Sequence, residues 1–218
     1  MTEKTQMDLM HLRRALLTMG ASTESRVNRA FEALFTQNVE LARNVRESDD
    51  EIDKMELDVE NECIEILALD QPLANDLRFV LTSMRIGASL ERIADLARTV
   101  AKGVIKVGTE PPTQYPDSLR EMAKMAQSMV GDVLRALSDN DVKLAEDVHR
   151  RDDFVDQKNK EFFAWVVRTI SEEEHDVRVM IRILLIGRTI ERLADIAGNI
   201  AEDVIYCVRG SVVRHSEI

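Results

Sequence analysis

The chain has 218 residues and a formal net charge of −11, with eight glycines, four prolines and only 4% aromatic residues. This composition is typical of an almost wholly helical protein, and the acidic charge disfavours a nucleic-acid partner, which needs a concentrated basic surface. No apolar run is long enough for a membrane span. The first residues also carry no apolar run, so we expect no signal peptide and a cytoplasmic protein with two reduced cysteines.

Helical periodicity divides the first half of the chain into three segments. Apolar residues at three- and four-residue spacing predict a helix over about 7–46, with 37–38 as an interruption or a bend. A polar break at 48–50 starts a second helix, and Pro72 ends that helix or begins the next. The third predicted helix covers about 73–107.

The second half shows the same order after a break. Residues 108–117 contain three of the four prolines and predict a linker. A fourth helix follows from about 118 and is interrupted at 139–141; a fifth covers about 150–170 and a sixth about 175–208.

An internal repeat explains this parallel. Residues 90–97 read LERIADLA, and residues 190–197 read IERLADIA. Earlier segments repeat at an offset of 103 instead of 100, a difference that a loop can absorb. We therefore predict an all-α fold of six helices, in which residues 1–107 and 118–218 form two similar antiparallel three-helix bundles.

The repeated polar residues are mostly acids. Glu91 and Asp95 are four residues apart and share one helix face, and Glu191, Asp195 and Asn199 repeat the pattern. When two consecutive helices fold into a hairpin, two aspartates of the first helix lie at the same height along the bundle as the Glu/Asp pair of the second. This follows because both helices rise by the same distance per residue. The level partners are Asp53 with Glu91, Asp49 with Asp95, Asp156 with Glu191, and Asp152 with Asp195. Four carboxylates per half outline a hard-cation site for Fe, Mn, Mg or Zn.

Other interpretations of these acids stay open. Arg92, Arg98 and Arg192 can pair with them on a solvated face, and Arg98 lies about 20° from Glu91 on the helical wheel, where it can compete with a cation. Glu146 and His149, and Glu172 and His175, have the Glu-x-x-His spacing, but neither pair belongs to the repeated acidic pattern, which disfavours a di-iron enzyme. A metal-dependent oxidase or storage protein remains the alternative function, and a purely structural helical dimer is a third.

Two further features repeat between the halves. Asp76 and Arg78 stand at the start of the third predicted helix, where the acid complements the helix dipole or the pair forms a partner-binding rim. Gly87 and Gly187 lie inside helices, where glycine costs about 1 kcal/mol relative to alanine. Close helix approach is the expected reason for these glycines, and a hinge is the alternative.

Several motifs together resemble one family. They are LRRALLTMG at 12–20, QPLANDLR at 71–78, and a Glu-x-x-x-Asp-x-x-x-Asn pattern in each half, with Thr99 in the Asn position of the first. On these residues the chain resembles the PhoU family. The resemblance implies two three-helix bundles, often a homodimer, and metal, sometimes a multinuclear iron cluster, on the Glu91/Asp95 and Glu191/Asp195 faces.

The resemblance also implies a function. Members of the family act in the cytoplasm as negative regulators of the phosphate-starvation response and of phosphate uptake. They link the ATPase subunit of a phosphate ABC transporter to a sensor histidine kinase. We therefore expect a regulatory adaptor and not an enzyme.

Overall fold

The computed structural model describes residues 3–48, 50–108, 114–172 and 176–210, and every regular element within these ranges is an α-helix. The helices are α1 (Glu3–Thr36), α2 (Val39–Glu47), α3 (Asp50–Leu69), α4 (Asn75–Val107), α5 (Asp117–Asp139), α6 (Val142–Arg150), α7 (Asp152–Ser171) and α8 (Val177–Arg209). The all-α prediction is confirmed. The six predicted helical segments are all present. The first segment of each half is broken into two helices, α1 and α2 in the first half and α5 and α6 in the second.

Both breaks use the same local chemistry. Gln37 and Asn140 adopt positive φ angles of 52° and 53°, which ends α1 and α5. Asn38 and Asp141 then cap α2 and α6: the Asn38 side chain accepts a hydrogen bond from the N–H of Leu41, and the Asp141 side chain accepts from those of Lys143 and Leu144. Asparagine and aspartate at these positions favour a capped restart over a continuous helix, because the side chain replaces the missing backbone acceptor.

Each half buries its apolar stripes within one bundle. α1, α3 and α4 pack together, with α2 against α4, and α5, α7 and α8 pack together, with α6 against α8. Leu12, Leu16 and Met19 of α1 are fully or almost fully buried, as the three- and four-residue spacing predicts. The second half repeats the arrangement, so the duplicated sequence folds into duplicated architecture.

The two halves pack against each other through α4 and α8, the long last helix of each half. The guanidinium of Arg85 on α4 lies 3.0 Å from the carboxylate of Asp203 on α8, and a Cβ on Gly103 would lie 2.6 Å from Cγ1 of Ile186. Early residues of α4 thus meet late residues of α8, so the helices run antiparallel. Because their buried residues belong to a single apolar cluster, the two bundles share one core.

The two repeated glycines differ in their surroundings. A Cβ on Gly187 would overlap the ring of the fully buried Phe162, whereas a Cβ on Gly87 would lie 3.4 Å from Cγ1 of Val59. The expected close approach of neighbouring helices is therefore tighter in the second half.

The end of the predicted linker packs against the first half. Tyr115 is buried and its ring lies edge-on to Phe35, with centroids 6.1 Å apart; residues 109–113 lie outside the described ranges. Cys63 and Cys207 are free thiols. Within the described ranges, no helix combines the length and the apolarity that a bilayer crossing requires.

Candidate functional site

The second half brings four predicted carboxylates into electrostatic contact. Asp152 and Asp156 begin α7, and Glu191 and Asp195 lie midway along α8; we call these four residues the second acidic face. Burial, followed by the charges of Asp152, Glu191 and Asp156, raises the pKa of Asp195 to about 6, while Arg192 acts in the opposite direction. Asn199, one turn after Asp195, is exposed.

The carboxylate of Asp152 has the properties expected of a metal ligand. Burial, followed by the charge of Asp156, raises its pKa, and His149 partly opposes this. Its Oδ1 atom is buried without a hydrogen-bond partner, and such an atom normally costs about 1–3 kcal/mol. A cation at this oxygen would remove that cost, so the residues of the second acidic face suit a hard metal ion.

The arginine adjacent to Asp152 in sequence is engaged elsewhere. The guanidinium of Arg151 donates to Asp132 and Asp147, on the side of α5 and α6. Arg151 therefore does not neutralise the second acidic face, although sequence proximity alone would suggest it.

The first half holds the equivalent acids in a different setting. Asp53 on α3 and Glu91 and Asp95 on α4 form what we call the first acidic face; Asp49 lies outside the described residues. Burial, followed by the charges of Asp95, Glu56 and Asp53, raises the pKa of Glu91. Glu56, which the sequence analysis did not single out, thus belongs to this surface.

Two arginines lie at the first acidic face. Nη2 of Arg98 lies 2.7 Å from Oδ1 of Asp95, the competition with a cation that the helical wheel indicates. Arg26 of α1 is only 5% exposed and donates to the main-chain carbonyl of Ser48. Burial lowers the pKa of Arg26, and the charge of Asp53 is the largest influence opposing this.

The Asn position of the motif gives no ligand in the first half. The hydroxyl of Thr99 donates to the main-chain carbonyl of Asp95 at 3.0 Å, within its own helix. The first acidic face is therefore a poorer fit for a metal ion than the second.

Sequence reasoning missed Arg26, although a signal was available. The offset of 103 aligns Arg26 with Met129, so a buried charge stands in one copy of the repeat where an apolar residue stands in the other. A difference of this kind within a repeat marks a position where the two copies have different chemistry.

The carboxylates are not already arranged around an ion. In the part of the chain that the structure describes, no group of three or more His, Cys, Asp or Glu side chains is placed to hold a metal as it stands. Metal binding therefore stays a prediction, and it requires rotation of exposed side chains such as Asp156.

Asp76 and Arg78 are both half-buried, and Asp76 lies at the edge of a groove. Asp76 lines this groove together with Met10 and Cys207. Arg78 donates to the side chain of Asn75, and its guanidinium carbon lies 3.2 Å from the position of a Cβ on Gly210. The pair thus faces the end of α8 more than an open hairpin tip.

Comparisons with known proteins agree with this architecture. A family model described as the PhoU domain matches residues 16–104 and 119–204, one match in each half. A relative from Pseudomonas aeruginosa, a phosphate-specific transport system accessory protein PhoU homolog, is 38% identical over 95% of this chain and 86% of its own length.

Two solved structures have the same fold. PhoU from Pseudomonas aeruginosa matches with a TM-score of 0.89 at 36% identity, covering 94% of this chain and 99% of that one. The phosphate transport system regulatory protein PhoU from Streptococcus pneumoniae matches with a TM-score of 0.88 at 26% identity, covering 96% and 99% of the two chains. Similarity thus extends over nearly the whole length of both.

Proposed function

The chain belongs to the PhoU family, and we propose that it regulates phosphate uptake as a cytoplasmic accessory protein. In this role it is a negative regulator that keeps the phosphate-starvation response off when phosphate is plentiful. The observation that carries the proposal is the match of the PhoU domain in each half, together with similarity to PhoU proteins over nearly the whole chain.

We further propose that the protein is an adaptor between the ATPase subunit of a phosphate ABC transporter and a sensor histidine kinase. Exposed apolar side chains on the second half support docking. Val177, Ile181 and Leu185 form a stripe on α8, and Phe163 and Val167 are exposed on α7. An exposed apolar patch of this kind is typical of a protein interface. Binding there would favour the inhibited state of the kinase by population shift.

A pull-down from phosphate-replete cells tests the adaptor proposal. We expect the transporter ATPase and the kinase to co-purify with the wild-type protein and to be lost with Ile181→Asp, because a charge would be buried in the interface. Leu81→Asp is the matched control, since Leu81 is the repeat equivalent on α4 and is similarly exposed, at 42% against 48%. Absence of both partners from the wild-type pull-down contradicts the proposal.

Ile181→Asp also distinguishes a second occupant of the same stripe, another copy of the chain. If the surface forms a homodimer, the variant becomes monomeric in sedimentation while Leu81→Asp does not. Loss of the dimer with retention of the kinase and transporter subunit would assign the stripe to self-association.

We propose that a divalent or trivalent metal, of the class Fe, Mn, Mg or Zn, binds the second acidic face. Its carboxylates and the unsatisfied Oδ1 atom of Asp152 are hard oxygen donors. Bound there, the metal would join α7 to α8 and relieve the repulsion among the four acids. Elemental analysis of the purified protein, with Glu191→Gln/Asp195→Asn as the control, tests this assignment.

The carboxylate-rich helical bundle also favours one alternative, a metal-dependent oxidase or a metal-storage protein. Iron analysis beside an oxygen-consumption assay separates the functions. Bound metal without turnover supports the regulator, whereas oxygen consumption that depends on iron supports the oxidase. A protein with neither metal nor partners would be the purely structural dimer.

A further inference from the structure

We propose that the two acidic faces have diverged: Arg26 and Arg98 occupy the first face in place of a cation, and metal binding is confined to the second. Only the second-face part of this inference rests on the metal proposed above. The first-face part rests on side-chain contacts within this chain.

The first contact is the ion pair on α4. Nη2 of Arg98 and Oδ1 of Asp95 are 2.7 Å apart, and the Arg98 side chain is only 22% exposed. This is the length of a charge-assisted hydrogen bond. A metal ion bound to Oδ1 of Asp95 would have to break this bond, and one bound to the other oxygen would lie close to a partly buried guanidinium and be repelled by its charge.

The second contact anchors a buried arginine from another helix. Arg26 reaches from α1 to the carbonyl of Ser48, which directly precedes the first acid of the predicted set. The charges of Asp53 and Asp95 both favour its protonated form. Since a buried guanidinium is costly without opposite charge nearby, the acids of the first face serve to compensate Arg26.

Other charges surround both faces and do not explain the difference. Arg92 and Arg192 are equivalent in the repeat, and each opposes the raised pKa of its neighbouring acid. Glu51 and Glu56 add negative charge to the first face, and Asp153 adds it to the second. His149 is the further basic group at the second face.

The repeat equivalents of the two arginines carry no charge. Met129, aligned with Arg26, is fully buried in the core. Gly198, aligned with Arg98, has open space where a Cβ would project, with no atom within 4 Å. The second half therefore has no guanidinium at either position: an apolar side chain takes the place of Arg26, and open space takes the place of Arg98.

Equilibrium dialysis of the full chain against Mn²⁺ tests the assignment, with Asp95→Asn and Asp195→Asn as a matched pair. We expect Asp195→Asn to weaken Mn²⁺ binding about tenfold or more, because it removes a ligand, and Asp95→Asn to leave it unchanged. A fall in bound Mn²⁺ with Asp95→Asn overturns the inference.

The reciprocal exchange places the second-half residues in the first half. The double variant Arg26→Met/Arg98→Gly should gain a Mn²⁺ site in the first half, and adding Asp95→Asn should remove that site. If the double variant does not fold, the single variant Arg98→Gly is used in its place. A folded variant with no gain in Mn²⁺ counts against the inference. The variant Gly198→Arg should bind Mn²⁺ more weakly than the wild type while its circular dichroism shows the same helix content.

Thermal unfolding in EDTA separates this inference from the metal proposal. Without metal, Asp195→Asn should raise the Tm by about 2–4 °C, since it relieves repulsion among acids, and Asp95→Asn should lower it by a similar amount, since it leaves Arg98 unpaired. If the wild-type protein binds no Mn²⁺, the metal proposal and the second-face part of the inference fail, and this difference in sign decides the first-face part. A Tm that rises for both variants overturns it.

Discussion

The carboxyl group of Asp195 shows how the acidic faces affect stability. Its folded pKa of about 6 lies above the ordinary value of 3.8, because burial and three neighbouring acids disfavour its charge. The folded state therefore binds this proton more tightly than the unfolded state does. By linkage, the contribution of Asp195 to the free energy of unfolding decreases as pH rises from about 4 to about 6, and it is lowest above that window.

We expect this pH dependence in metal-free protein and not in Asp195→Asn. In EDTA, the free energy of unfolding from denaturant titrations should fall by about 1–2 kcal/mol across the window for the wild type, after allowance for partial exposure. The variant should lose this component of the slope. Identical pH profiles for the two proteins would contradict the assigned pKa.

Asp132 is a buried acid whose role is structural. It is 4% exposed and accepts hydrogen bonds from Arg151 and Arg135, and from the hydroxyl of Ser128 at 3.1 Å. These contacts connect α5 to the junction of α6 and α7, the helix that begins the second acidic face.

Replacing Asp132 with alanine should destabilise the protein by about 2–3 kcal/mol, because it leaves Arg151 without a buried partner. Asp147→Ala is the matched control: it also removes a partner of Arg151, but Asp147 is 45% exposed and its loss should cost less than about 1 kcal/mol. Chemical denaturation measures both, and equal effects would show that burial does not set the cost.

The sequence predicts the acids of the site better than their partners. The four-residue spacing of Glu91 and Asp95 fixes a common helix face without knowledge of the fold. Arg26, by contrast, lies 22 residues from its acceptor Ser48, and its contact depends on how α1 packs against the α2–α3 junction. Periodicity carries no information about such packing between helices.

At the scale of the helices, equivalent positions of the two copies tolerate different side chains. Gly187 lies against the ring of Phe162, whereas Gly87 has ordinary contact distance to Val59. Added volume in a packed core is destabilising, while alanine in a helix is preferred to glycine. These two effects have opposite signs, and the space at each site decides between them.

Gly187→Ala should therefore destabilise the protein by about 1–2 kcal/mol, since overpacking exceeds the gain in helix propensity. Gly87→Ala, its control from the other half, should be neutral or stabilising by up to about 1 kcal/mol. Thermal melts of both variants provide the comparison. The opposite order would mean that the Phe162 ring moves aside at little cost.

The helices themselves could be predicted closely, and their interruptions only in part. Asp139–Asp141 indicates the second break by composition, but Gln37 and Asn38 are compatible with either a bend or a break. The structure contains a break because Gln37 adopts a positive φ. That conformation is uncommon for a residue with a side chain, and sequence patterns do not reveal it.

At the scale of the whole molecule, α4 and α8 make the two bundles interdependent. Their antiparallel packing includes the Arg85–Asp203 ion pair and the close approach at Gly103. The repeat predicts two similar units but not how they pack together, because the apolar positions of α4 serve both its own bundle and the other. The shared core is therefore a finding of the structure.

This shared core predicts cooperative unfolding. Trp165 is the single tryptophan and lies in the second half, so its fluorescence reports that half, whereas circular dichroism reports both. We expect the two signals to give coincident denaturation curves, as for a two-state transition. Separate midpoints would show that the bundles unfold independently.

The groove beside Asp76 also has a topological consequence. Leu9 and Met10, near the start of α1, line it together with Cys207 and Val208, near the end of α8. The outer ends of the first and last helices are thus neighbours in space. A circular permutant could join these two ends through a short flexible peptide and open the chain between α4 and α5. The second half would then be synthesised before the first. Because the ends are close in space, we expect the permutant to reach the same fold.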